Sequence, residues 1–141
     1  MDKFFNTQRE AFRYTEDLVK YIQSFWNTNN PDKILKISAH HNHFYHRLYD
    51  RVESKQELDN IPKMLRSIFN GKSNKFLEYL NITDHRPPKI NLIYKEQIIG
   101  MSTYNEQSKL TIRTYFKDDG YNYDRNDIYK IILLDKSKYH V

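Results

Sequence analysis

The hydrophobic pattern of this chain changes period once, and no other feature constrains its fold as much. Up to Gly71 the apolar residues recur at helical spacing, and from Asn74 onward they alternate as strands do. Ala11, Thr15, Leu18, Ile22 and Phe25 fall on one stripe, widened by Phe12, Val19 and Trp26. Such a stripe is the core-facing side of an amphipathic helix. Thr7 and Glu10 precede it at capping-box spacing, and Ser54 and Glu57 repeat that spacing before Leu58, Ile61, Leu65 and Ile68. Pro62 lies inside the second pattern and is expected to kink or split it, because proline has no amide hydrogen to give. Asn70-Gly71 is the stop signal.

Between these helices, Asn30 reads as an N-cap and Pro31 as the first residue of a short helix over 32–37. Residues 40–49 fit either period, and their Tyr, Phe and His content favours a strand on which Phe44, His46 and Leu48 share a face. Strands are then expected over 74–82, 89–94, 97–104, 109–116 and 127–135, with turns at Lys95-Glu96 and 105–108 and polar loops at 84–88 and 118–126. Helices followed by an antiparallel meander define an α+β fold. The 141 residues show no linker and no repeat, which predicts a single domain over 1–141.

Composition narrows the function classes. The absence of Cys removes a disulfide framework, a thiol nucleophile and Cys-ligated metal sites. No run approaches the ~18 apolar residues of a membrane span, and the N-terminus carries Asp2 early, so the expectation is a cytoplasmic protein with no membrane association. Hydrophobic residues are 38% and aromatics 15%, so Tyr and Phe must supply much of the core. The net charge of +5 favours acidic partners, although no block of five like charges concentrates it.

The run Phe25-Trp26-Asn27-Thr28-Asn29-Asn30-Pro31-Asp32-Lys33-Ile34-Leu35 resembles the aromatic, Asn and Asp turn after the first helix of the nuclear transport factor 2-like (SnoaL-like) superfamily. Glu53-Ser54-Lys55-Gln56-Glu57-Leu58 is similar to the opening of that family's third helix, and Asp124-Arg125-Asn126-Asp127-Ile128-Tyr129-Lys130-Ile131 to its closing hairpin without the usual Gly. The resemblance covers most of residues 8–135. It implies a cone-shaped fold, with N-terminal helices on a curved, mostly antiparallel sheet, and a pocket for a small hydrophobic ligand lined by Ile22, Trp26, Phe44, Met101, Ile112, Thr114 and Phe116. It also implies His46 as the acid–base group and a homodimer through the sheet, with Tyr94, Tyr104, Arg113, Tyr115 and Tyr129 at the interface. The family's isomerase positions fall on Ile22 and near Thr114, which lack the two strong donors of an oxyanion hole, so isomerase chemistry is not expected.

Two constellations stand outside that resemblance. His40, His41, His43 and His46 crowd one segment, with Asp50 beyond. Two His and a carboxylate can ligate a metal, but no named zinc spacing is present, and satisfied surface histidines need no metal or cofactor. Tyrosines interleave with Arg47, Arg113, Arg125 and Lys130, a mixture that can stack bases and hold phosphates or simply pack a half-buried sheet. No phosphate-binding Gly-rich motif accompanies it, and Asp118-Asp119-Gly120 lacks the Glu that an EF-hand register needs. Helices followed by an antiparallel sheet also occur in small ribonuclease toxins, where a His, an Arg and a Tyr act together. The sequence therefore leaves three functions open: a pocket protein or weak enzyme, a non-enzymatic interaction or inhibitor protein of a mobile element, and a nucleic-acid binder using a basic, Tyr-rich sheet face.

Overall fold

The computed structural model describes residues 3–40, 43–82, 89–104, 108–118 and 129–134, with Tyr129 described by its backbone. The expectations for His41, for the loops at 84–88 and 119–126, for the turn residues 105–107 and for the Tyr129 side chain lie outside them.

Helix α1 (Gln8–Asn29) begins where the capping box places it, with the Thr7 hydroxyl accepting from the Glu10 amide at 3.2 Å. Its buried face is Ala11, Thr15, Leu18, Ile22 and Trp26. Asn30 ends this helix instead of starting another: its amide donates to the Trp26 carbonyl, and its side chain donates to the Trp26 and Phe69 carbonyls. Residues 31–35 then run as turn and extended chain into strand β1 (Lys36–Ala39), so the helix expected over 32–37 does not form. The Gln23 side chain clamps the strand's entry, donating to the Leu35 carbonyl at 2.8 Å and accepting from the Ile37 amide at 2.8 Å.

Residues expected to continue as a strand instead form helix α2 (Phe44–Arg51). The spacing of Phe44 and Leu48, both fully buried, is one helical turn, and tertiary burial decides between the two periods. Helix α3 (Lys55–Phe69) starts at Ser54, whose hydroxyl accepts from the Glu57 amide, and it runs through Pro62 unbroken. Gly71 follows its end at φ 80°, a left-handed conformation in which a side chain would be strained. Residues 74–80 are helix α4 (Asn74–Leu80) and not a strand: the Ser73 hydroxyl caps the Phe76 amide, and Phe76 and Leu80 are buried one turn apart.

The remaining strands, β2 (Lys89–Tyr94), β3 (Gln97–Tyr104), β4 (Lys109–Lys117) and β5 (Tyr129–Leu133), lie where the alternation predicts. The sheet order is β1-β4-β3-β2-β5. The central strands β2, β3 and β4 are an antiparallel meander, while β1 joins β4 and β5 joins β2 in parallel. The fold is α+β, with the core between the helices and one sheet face. There Trp26, Phe69 and Phe76 meet edge to face, with centroids 5.3 to 6.2 Å apart. No described helix is long and apolar enough to cross a membrane.

Candidate functional site

Strand alternation divides the sheet residues between two faces. Gln97, Ile99, Met101 and Thr103 of β3 pair with Lys117, Tyr115, Ile112 and Leu110 of β4, and these look toward the helices. Ile98, Gly100, Ser102 and Tyr104 pair with Phe116, Thr114, Thr111 and Lys109 on the opposite face. Two registers meet within β4. Gly100 faces Thr114 while Met101 faces Ile112, so Arg113 is an extra residue in a β-bulge. The bulge turns Arg113 out of the ladder, and its guanidinium donates to the Ser102 hydroxyl at 3.3 Å.

The sequence expectation that Tyr94, Tyr104, Arg113 and Tyr115 share one outer face is therefore corrected. Tyr115 is fully buried on the helix side, accepting from the Gln97 amide at 3.0 Å, and burial raises its phenol pKa. Tyr94 is half-buried and borders a groove beside α3 with Met64 and Leu134. Tyr104 and Arg113 remain on the face away from the helices. The pocket residues divide in the same way. Ile22, Trp26, Phe44, Met101 and Ile112 all belong to the packed core. Thr114 and Phe116 instead line a depression on the far face. His46 sits on α2, half-buried, with its ring stacked on Tyr45 at 4.3 Å between centroids, and not on a strand as expected.

That depression, of about 550 Å³, brings together residues that the sequence reading kept apart. His40, His43, Lys89, Asn91, Arg113 and Thr114 line it, and Gly100 forms part of its floor. A Cβ at Gly100 would stand 2.9 Å from the Thr114 methyl and 3.3 Å from the Asn91 side-chain oxygen, so glycine keeps the floor open. A second depression of about 460 Å³ continues along the same strands, lined by Lys36, Ser38, Tyr104, Lys109 and Thr111. Among the described residues no Asp or Glu lines either depression. Acidic groups collect at another end of the molecule, where Asp50, Glu53 and Asp118 surround Arg51 and Lys117.

The electrostatics follow from that placement. His43, Arg47 and Arg51 recur at four-residue spacing on one side of α2, and the Arg51 guanidinium donates to the Tyr115 carbonyl at 2.9 Å. Desolvation, followed by the positive charges of Arg47, His40, Arg113 and Arg51, holds the His43 imidazole below its usual value. Desolvation and the neighbouring Arg47 likewise lower Arg51, against an opposing contribution from Asp50. Lys36 and Lys109 are register partners across β1 and β4, a like-charge pairing that costs stability unless an anion lies between them.

Lys36, Lys89 and Lys109 were legible as outward residues once their strands were phased, because each shares a face with Ser38, Asn91 or Thr111. Among the described residues, no group of three or more His, Asp and Glu side chains could hold a metal ion. Compared with protein-family models, curated proteins and solved structures, the chain has no match.

Proposed function

We propose that this chain binds single-stranded nucleic acid along the sheet face turned away from its helices. The observation that carries the reading is the pair of adjoining depressions lined by Lys36, Lys89, Lys109, Arg113 and two histidines with no carboxylate among the described lining residues. Cations in a groove neutralise phosphates, and Arg113 offers a forked donor that suits phosphate oxygens. Tyr104, 39% exposed on the same face, offers a ring on which an unpaired base can stack. An anion between Lys36 and Lys109 would relieve their repulsion, so part of the binding free energy is stored in the free fold.

Fluorescence anisotropy with a labelled single-stranded 2′-deoxy oligonucleotide tests this reading. Four contacting cations, Lys36, Lys89, Lys109 and Arg113, give an expected slope of log K against log salt near −3, at ~0.7 per phosphate on a single strand. Replacing Lys36 and Lys109 with Ala should make that slope shallower by about 1.4. Tyr104→Ala should weaken binding by about 1–3 kcal/mol through lost stacking. An oligonucleotide that fails to bind at low salt, or binds with no salt dependence, refutes the proposal.

A further inference from the structure

We infer that the larger depression also cuts RNA, with His40 and His43 as the acid–base pair of a metal-free transesterification and Arg113 holding the scissile phosphate. The inference rests on the binding reading above and adds chemistry to it. His40 follows the last residue of β1, its amide donating to the Ile112 carbonyl at 2.7 Å, so it lies beside the bulge that carries Arg113. His43 comes one turn later at the start of α2, its amide donating to the His40 carbonyl at 3.3 Å. The two rings stand 5.5 Å apart between centroids, at 73° to each other. Imidazoles at that separation can each come within the ~2.6–3.2 Å needed for proton transfer to a different oxygen of one bound phosphodiester. Arg113 brings a fixed positive charge to the same wall, where negative charge grows on the phosphoryl oxygens during displacement.

The donor set selects the chemistry. The depression presents two imidazoles and, among its described lining residues, no carboxylate with which to hold a hard divalent cation. A nucleophile must then come from the substrate, and RNA carries one in its 2′-hydroxyl. The 2′-oxygen bonds to phosphorus as the bond from phosphorus to the 5′-oxygen breaks. His43 accepts the proton of the 2′-hydroxyl, and His40 gives a proton to the departing 5′-oxygen. The products are a 2′,3′-cyclic phosphate and a 5′-hydroxyl, with no water, metal or redox partner consumed. The assignment of base to His43 follows from its surroundings: Arg47 and Arg51 on α2, His40 at the end of β1 and Arg113 on β4 all disfavour a further positive charge there. A DNA strand lacks the attacking hydroxyl and is held intact.

The test incubates the purified chain with end-labelled RNA, and separately with the 2′-deoxy strand of the same sequence, in excess EDTA. Expected are RNA fragments ending in 2′,3′-cyclic phosphate and a bound, uncut deoxy strand. His40→Ala and His43→Ala, purified identically and folded by circular dichroism, should each slow cleavage by ~100-fold or more. The rate should rise with pH on its acid limb as His43 loses its proton, and His43→Ala should remove that limb. RNA that is bound but left whole overturns the inference while binding stands. Cleavage that needs a divalent cation, or that survives both His substitutions unchanged, overturns it as well. Failure of both strands to bind removes the cleavage inference and the binding reading together.

Discussion

Lys117 shows how a single side chain ties two elements together. At the end of β4 it bonds the carboxylates of Glu53 and Glu57 at the start of α3. The hydrogen bond and positive charge of Lys117 hold Glu53 below the usual carboxylate range. Desolvation pulls Lys117 down, but its bonds to the two glutamates outweigh that and leave it raised. A carboxylate with a depressed folded pKa contributes stability above its unfolded value and loses it as pH falls through the folded value. Chemical denaturation from pH 7 to pH 3 should therefore show an acid loss that is smaller in Glu53→Gln, and an equal loss in both proteins would contradict this account. Residue types were legible here, but their outward or inward direction was not. Alternation alone sets Arg113 and Tyr115 on one face, and only the partner strand reveals the bulge that separates them.

Proline inside α3 poses a question at the scale of the element: why does the helix not break? Pro62 has no N–H for the carbonyl four residues back, which belongs to Leu58. The Tyr14 hydroxyl of α1 donates to that carbonyl at 3.3 Å, so a neighbouring helix supplies the missing donor. Burial, with a smaller contribution from Asp59, raises the Tyr14 phenol and keeps its proton in place for the bond. Tyr14→Phe should cost about 1–3 kcal/mol by leaving a buried carbonyl unpaired. In a Pro62→Ala background it should cost less, since alanine restores an amide hydrogen at that position. Urea titrations of the four proteins measure this coupling, and strictly additive losses would show that the two residues do not share the carbonyl. Long, strongly periodic elements such as α1 and α3 could be read from sequence. The 7-residue α4 and 8-residue α2 could not, because over so short a window Phe76 with Leu80, or Phe44 with Leu48, satisfies either period.

Across the whole molecule, charge and topology are coupled. The α+β class followed from the single change of period, yet the position of β1 did not. That strand is four residues long, and it pairs in parallel with β4 across some 70 intervening residues, a contact that no local pattern encodes. Its placement sets Lys36 against Lys109 and His40 beside Arg113, so the basic face is a product of topology. Anions that occupy this face should stabilise the folded chain by mass action. Inorganic phosphate at ten times its Kd adds about 1.4 kcal/mol, which raises the Tm of a chain this size by roughly 3–5 °C. Thermal melts in phosphate and in chloride at equal ionic strength make the comparison, and coincident curves would show that the face holds no anion.

The bulge in β4 also has a consequence for how this strand tolerates changes in length. Everywhere else in β4, losing one residue would reverse the inside–outside parity of all that follows, sending Tyr115 to solvent and Phe116 toward the helices. At Arg113 alone the arithmetic differs. With that residue removed, Ile112 and Thr114 become neighbours, and their existing partners Met101 and Gly100 are neighbours too. The two halves of the strand would join in phase, as an ordinary ladder with every other side chain still on its present face. Arg113 is thus a guest in the sheet, a residue that the packing does not count, and the chain keeps its charge in the one place where the frame permits an extra letter.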